Sequence, residues 1–514
     1  MPGLRPGDSS YERSPGVSII AVDVGTSGCK AIRFSENGRV LSRATVAYSP
    51  DFPLPGHAEL HPDVFWNALS HTLHELAADC TDVAALCISS HGETFIPVDA
   101  VGCPIGPAIL NMDNRAVAEA EQIDRELGRR HLFGTTGMIT HPMYPAAKLL
   151  WLREHDRQLF DSAAQFVSLT GYLLLKLGIP AFIDYTLAAR CMLFDITRKR
   201  WAEDILELIG LPVGKLPEPV PAGTVAGRLC AESSSHLGLR SQPLVVIGGH
   251  DQACAALGMG AVLPGRVTDS IGTYECLVAV TDKPVLNDRA FAASLNCYPH
   301  VVAGRYVSLA YFPSGLMMNW FRELLFGDGS HESDLQAEQY RELQQGVPEG
   351  PTGLCITPHL IGTCNPDFNP RARAVITGLT ASTTRKHIYK GILEGIACEL
   401  HEVAGLLASA IGPFSDVWAS GGGTHSHLGL ELRAALAGCR LHVVACDEAV
   451  CLGSAILAGV AAGVYSGTQD AVAELVKVRE TIEPDATVAQ QYQLQLRGYQ
   501  SLVSKVAQGF STAA

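Results

Sequence analysis

The chain has 514 residues, too many for one hydrophobic core, since single cores stop growing at about 250–300 residues; two large domains meeting near the middle are expected. Apolar residues make up 47% of it, and no run reaches the roughly 18 uninterrupted apolar positions of a spanning helix, which argues against a membrane segment. A net charge of -14 disfavours nonspecific binding to nucleic acid or to an anionic membrane, both of which need a concentrated basic surface.

Residues 1–16, MPGLRPGDSSYERSPG, lack the apolar stretch of a signal peptide and read as a disordered tail. From Val17 to Tyr48 a buried-type strand runs into Asp23 and the turn Gly25-Thr26-Ser27-Gly28. A second strand follows, and ENG supplies the hairpin to a third. This meander opens an α/β domain. Apolar residues at helical spacing occupy 62–79, followed by a short strand, VAALCISS, over 83–90. LPEPVPAG (216–223) is the clearest proline-rich connector, either a domain boundary or an internal loop. The second half repeats the opening theme, because 265–282 reads as strand, Gly-Thr turn and strand, so two related halves are expected. A long helix over 383–410, the strand DVWAS (416–420), a glycine turn and a buried helix within 449–464 complete the pattern. The 15 cysteines are scattered singly with no CxxC spacing, which favours reduced thiols in a cytoplasm.

Several segments bring polar or glycine residues to the ends of these strands. In DVGTSGCK a tight turn presents successive backbone N–H groups to phosphate oxygens; Thr26, Ser27 and Lys30 add hydroxyl and ammonium donors, and Asp23 is suited to hold Mg2+ through water. An ordinary hairpin capped by its aspartate would carry the same residues. SIGTYE (270–275) offers a second such turn at Gly272 and Thr273, able to close on the same phosphates from the other half. In WASGGGTHSH a strand enters Gly421, Gly422 and Gly423 before a helix, which lets a ligand ring or phosphate approach the backbone. It misses the dinucleotide fingerprint, since Ser426 stands where Gly or Ala is expected.

SSHGETF sets His91 and Glu93 at the carboxyl end of a strand, where loop residues meet ligands, although a plain surface loop would look alike. His425 and His427 lack the i, i+4 spacing of a metal-binding helix and read as solvated or capping residues, and Cys446 and Cys451 as buried thiols. In IGGHDQACAALGMG, Asp251 stands between a glycine-rich approach and small apolar residues. A helix cap is the plain reading, and a general base is compatible with it.

Taken together and in order, AVDVGTSGCKAI, GHAELHPDVFW, AAKLLWL, GGHDQACAALGMG, SIGT and SGGGTHSHLGLELRAALAG resemble the FGGY family of carbohydrate kinases. The resemblance runs from about 17 to 480. It implies two ribonuclease-H-like domains of the actin, hexokinase and Hsp70 superfamily flanking a deep cleft, with sugar held mainly by 17–256 and ATP mainly by 257–514. The family's first phosphate motif falls on Asp23 to Lys30, including Gly25, its second on Gly272 and Thr273, and its adenosine glycines on Gly421 to Gly423. Its catalytic aspartate falls on Asp251, followed by Gln252. Acceptor contacts fall on His91, Gly92, Glu93 and Asp113, and Mg2+ on Asp23 and Asp251. Many members are dimers, so a homodimer is compatible with the resemblance.

Asp251 would take the proton of a sugar hydroxyl, the glycines before it would let the acceptor come close, and the positive end of the following helix would keep it ionised. The His91-Gly92 pair is similar to the xylulokinase and gluconokinase branches. Glu93-Thr94 is shared with glycerol kinases, but His and Gly stand where those have Gln and Arg, which disfavours glycerol. Asn111 replaces a usual tryptophan, while Gly429 and Ala435 replace a frequent tryptophan and aspartate. A ketopentose such as xylulose is the first expectation, with an aldonate or a four-carbon sugar or polyol behind it. An ATP-driven binding module on the same scaffold and a dinucleotide oxidoreductase are the alternatives from other classes.

Overall fold

A computed structural model describes residues 16–77, 82–327 and 333–511; the expected tail falls outside them up to residue 15. In the first half, β1 (Ser18–Val24), an apolar strand buried except at Asp23, pairs antiparallel with β2 (Gly28–Ser35), and β2 with β3 (Val40–Ala47). The amphipathic helix α1 (Pro62–Ala77) packs Phe65, Leu69 and Leu73 on β2 and β3; residues 78 and 79 of the expected helix lie outside the described ones. β4 (Val83–Ser90) then pairs parallel with β1. After α2 (Pro145–His155) and the short α3 (Tyr185–Ala189) come β5 (Val225–Arg228), β6 (Leu244–His250) and α4 (Asp251–Gly258), with β6 parallel to β4. The six-stranded sheet has the order β5-β6-β4-β1-β2-β3. The proline-rich connector is internal to this half, for Glu218–Val220 pairs with Phe182–Asp184.

The second half repeats the plan. β7 (Val267–Ile271) and β8 (Tyr274–Thr281) are antiparallel, and β9 (Asn296–Pro299) lies at the sheet edge beside β10 (Tyr306–Pro313). The long α5 (Arg385–Ile411) leads to β11 (Asp416–Ser420), α6 (His427–Ala437), β12 (Arg440–Val444), α7 (Ala449–Ala461) and β13 (Val478–Ile482). The seven-stranded sheet has the order β9-β10-β8-β7-β11-β12-β13. Counted outward from the first strand of each half, β3-β2-β1-β4-β6 matches β10-β8-β7-β11-β12, with two antiparallel pairings followed by two parallel ones. The two related halves are therefore a duplicated topology, the actin/hexokinase-like arrangement.

Two helices join the halves. α7, from the second half, packs on β1 and β4 of the first and crosses α4. Side chains cannot intervene at the crossing: a Cβ on Gly258 would collide with the Ala449 carbonyl, and one on Gly453 with the Cys254 carbonyl. No helix among the described residues is long and apolar enough to cross a membrane.

Candidate active site

Because β1, β4 and β6 are mutually parallel, their carboxyl ends share one sheet edge, and β7 and β11 do the same in the second half. Five segments singled out in the sequence follow these ends directly: Gly25–Ser27, His91–Glu93, Asp251–Gln252, Gly272–Thr273 and Gly421–Gly423. Such strand ends are where open α/β sheets bind ligands.

Asp251 is the first residue of α4, and His250 occupies the cap position. Oδ1 of Asp251 accepts from the Gln252 N–H at 2.6 Å and lies 3.2 Å from Nε2 of His250, whose Nδ1 is 3.1 Å from the Tyr298 hydroxyl of β9. Oδ2 makes no hydrogen bond among the described residues. The expected ionisation by the helix end is overturned: burial, reinforced by the charges of Asp23 and Glu93, pushes Asp251 up to about 8. One helix terminus cannot offset lost hydration and two carboxylates together. Packing by itself also requires the preceding glycines. A Cβ on Gly248 would collide with the Ile88 carbonyl, and one on Gly249 would lie 2.9 Å from Oγ1 of Thr186, so they seat β6 against β4 and α3. Thr186 Oγ1 accepts the His250 N–H at 2.7 Å, and buried Asp184 caps α3 by accepting from Thr186 and Leu187. α3 thereby fixes the end of β6.

Glu93 is held in a left-handed conformation with φ 61°, by two cations. Its carboxylate forms a buried ion pair with Arg190 at the end of α3, and its carbonyl accepts from Lys148 of α2 at 3.0 Å. Lys148 also donates to the Leu110 carbonyl at 2.6 Å, and its burial pushes it down to about 7. Arg190 lies over the rings of Tyr144 and Tyr298, 5.4 and 5.8 Å from their centroids. A Cβ on Gly92 would sit 3.1 Å from the His250 ring and 3.2 Å from Arg190 Cβ, which accounts for a glycine there.

Two expected acceptor contacts are engaged elsewhere. His91 is buried with Nδ1 3.1 Å from the Val24 carbonyl and Nε2 2.8 Å from Oγ1 of Thr94, and burial pushes it down to about 4; it braces its loop as a neutral ring. The Asp113 carboxylate is consumed by Arg115 and by the Ala58 N–H at 2.6 Å, so it shapes the 110–115 loop. From that loop Asn111 donates to Oγ1 of Thr26 at 3.2 Å.

On the phosphate side, Lys30 is not free as expected: its ammonium is 2.6 Å from Glu448, a partly exposed ion pair joining the halves. Asp23 has a buried Oδ1 with no protein partner, and burial pushes it up to about 6 against the pull of Lys30 and with the push of Glu448. Gly272 and Thr273 are exposed, and beneath their turn Glu275 accepts from Arg433 at 2.9 and 2.7 Å and from Ser314 at 2.7 Å. Gly421 has φ 102°, and a Cβ there would come 2.7 Å from the Ile271 carbonyl, so the glycine turn lies hard against the end of β7. His425 and His427 are exposed, and Cys451 is buried.

Lys148, Arg190, Tyr144, Asn296, Tyr298, Thr186 and the Glu275–Arg433 pair were not legible as site residues. One signal was available for the two cations: Lys148 and Arg190 each interrupt an apolar run, and a cation buried in such a run needs a partner.

Two sheets of matching strand order, with a carboxylate at the strand ends of one and glycine turns at those of the other, belong to the actin/hexokinase-like fold class. The model of the FGGY carbohydrate kinase N-terminal domain matches residues 18–258, and that of the C-terminal domain matches 268–462. The chain belongs to the FGGY family of carbohydrate kinases and is an ATP-dependent sugar kinase. It is 27% identical over 467 residues to a gluconokinase of Bacillus subtilis (89% of this chain, 90% of that enzyme). It is 31% identical over 463 residues to a glycerol kinase of Thermus brockianus (87% and 90%). The crystal structure of a ligand-bound xylulose kinase from Lactobacillus acidophilus superposes with a TM-score of 0.87 at 22% identity, covering 97% of this chain and all of that one.

Proposed function

We propose that the acceptor is a neutral ketopentose such as xylulose and that Asp251 is the general base. The observation that carries the choice is the charge around the base. Asp251 is flanked by Asp23 and Glu93, Arg190 is committed to Glu93, and Lys148 to two carbonyl oxygens. Burial, together with Lys148 and Arg190, holds His141 down at about 4, hence uncharged at neutral pH. An aldonate carboxylate would meet carboxylates with no uncommitted cation beside them, whereas hydroxyls can hydrogen-bond to all of these groups.

In the proposed reaction the acceptor hydroxyl gives its proton to Asp251 as its oxygen bonds the γ-phosphorus. The bond from that phosphorus to the β–γ bridging oxygen breaks, ADP leaves with the electron pair, and Asp251 releases the proton to solvent. The N–H groups of Gly25 and Gly272 are taken by the Gly28 and Tyr274 carbonyls, so it is Thr26, Ser27 and Thr273 that donate backbone N–H groups to the phosphates, while Lys30 exchanges Glu448 for a phosphate and Gly421–Gly423 border the adenosine. The unpaired oxygens of Asp23 and Gln252 suit a hydrated divalent cation, which prefers one or two carboxylates plus phosphate oxygens. Mg2+ held there by Asp23 and Asp251 would neutralise charge on the transferring phosphate. The free cysteines suit a cytoplasmic enzyme.

The test is ADP release with Mg-ATP against xylulose, ribulose, erythrulose, gluconate and glycerol, for the wild type and Asp251→Asn. We expect a ketopentose to give the highest kcat/KM and the variant to lose about 10³-fold. Preference for gluconate would reject the charge argument, and turnover indifferent to every acceptor would reject the sugar-binding site.

A further inference from the structure

Asn296, at the start of the edge strand β9, is 2% exposed. One end of its amide meets the Tyr144 hydroxyl at 3.3 Å through Oδ1, while the other, Nδ2, is buried with no hydrogen-bond partner. If the amide were turned over, its oxygen would be the unpaired atom instead, so the vacancy does not depend on that assignment. Leaving such a group unpaired costs about 1–3 kcal/mol, which calls for a ligand to complete it.

The surroundings say which ligand. Residues two apart on a strand share a face, so Asn296 and Tyr298 point the same way. Tyr298 reaches His250 beside the base, and its ring lies under Arg190. Tyr144, the partner of Asn296, also lies against Arg190, which is paired with Glu93. The second half of the chain therefore supplies a wall to the acceptor site, and that wall ends in one unused polar atom.

We propose that Asn296 is a specificity-determining residue whose free amide end hydrogen-bonds a hydroxyl of the acceptor remote from the reacting one. The proposal rests on the reading of Asp251, Glu93 and Arg190 as the acceptor site. Either end of an amide can pair with a sugar hydroxyl, and Asn296 offers that end from the opposite sheet to the one that carries Asp251.

The experiment uses the full chain with Asn296→Leu, Asn296→Asp, and the double variant Tyr144→Phe/Asn296→Leu, which leaves no orphaned hydroxyl. Steady-state kinetics use the best acceptor of the wild type, and thermal melting is followed with that sugar alone and with Mg-ATP alone. We expect KM for the sugar to rise about 10- to 100-fold with KM for ATP unchanged. The sugar-induced rise in melting temperature should disappear while the Mg-ATP-induced rise persists. A merely structural asparagine would lower the melting temperature of the free protein and leave the sugar-induced shift intact. Unchanged sugar KM and shift in Asn296→Asp and the double variant overturn the proposal. Loss of both ligand shifts also counts against it. If the wild type responds to no sugar, or Asp251→Asn retains full turnover, the site reading itself fails, an outcome distinct from a normal enzyme with indifferent Asn296 variants.

Discussion

At the scale of the residue, Asp251 carries an opposition between stability and chemistry. Its carboxyl is pushed up to about 8 by burial, then by Asp23 and Glu93, so in the free enzyme much of it is protonated at neutral pH. A base works only when ionised, so kcat/KM for the acceptor should climb with pH to a plateau, and Mg2+ beside Asp251 should bring that plateau in below about 8, which pH-rate profiles at low and saturating Mg2+ will read. The stability effect has the opposite sign. Because the folded value is raised, stability from the protonated group is full below the ordinary carboxylate range and is lost as pH rises through about 8. Asp251→Asn, permanently neutral, should melt several degrees above the wild type at alkaline pH and converge with it in acid; a flat difference across pH would refute the burial argument. Asp23, pushed up to about 6, belongs to the same economy of unpaired charge awaiting a ligand.

At the scale of the element, the short α3 and the crossing of α4 with α7 do more than their lengths suggest. α3 is capped by Asp184, holds the end of β6 through Thr186, and leads into Arg190 at its C-terminus. The proposed base and acceptor pocket are thus positioned by one turn of helix. At the crossing, Gly258 and Gly453 bring two backbones into contact, and overpacking of this kind costs about 1–3 kcal/mol when the neighbour can yield. Here the neighbour is a helical carbonyl, which cannot move aside as a side-chain end would. Gly453→Val should lower the melting temperature and, by spreading the halves, reduce kcat more than KM for either substrate. Melting curves alongside kinetics check both, and wild-type values would show that the crossing is slack.

At the scale of the whole molecule, the halves are tied by Lys30–Glu448, by Tyr298 on His250 and by Asn296 on Tyr144. The Lys30–Glu448 pair is about a third exposed on both sides and so adds at most ~1 kcal/mol to stability. Its interest is the ammonium it occupies. If Lys30 transfers to a phosphate, Lys30→Ala should raise KM for ATP severalfold, while Glu448→Gln, which frees the ammonium, should leave that KM unchanged or lower it. An unaffected KM in Lys30→Ala would remove it from the phosphate site.

The amino-acid pattern alone was enough for the duplicated α/β plan and for the strand ends that carry Asp23, Glu93, Asp251, Gly272 and Gly421. Buried strands and glycine turns are local features, written in consecutive residues. It was not enough for the roles of His91, Asp113 and Lys30, since whether a polar side chain faces a ligand or a neighbour depends on what packs beside it. Nor could it pair Glu93 with Arg190, Glu275 with Arg433, or Tyr298 with His250, which lie 97, 158 and 48 positions apart. The raised pKa of Asp251 is likewise a property of the assembled site: burial and neighbouring charge exist only after folding has brought distant carboxylates out of water and toward one another.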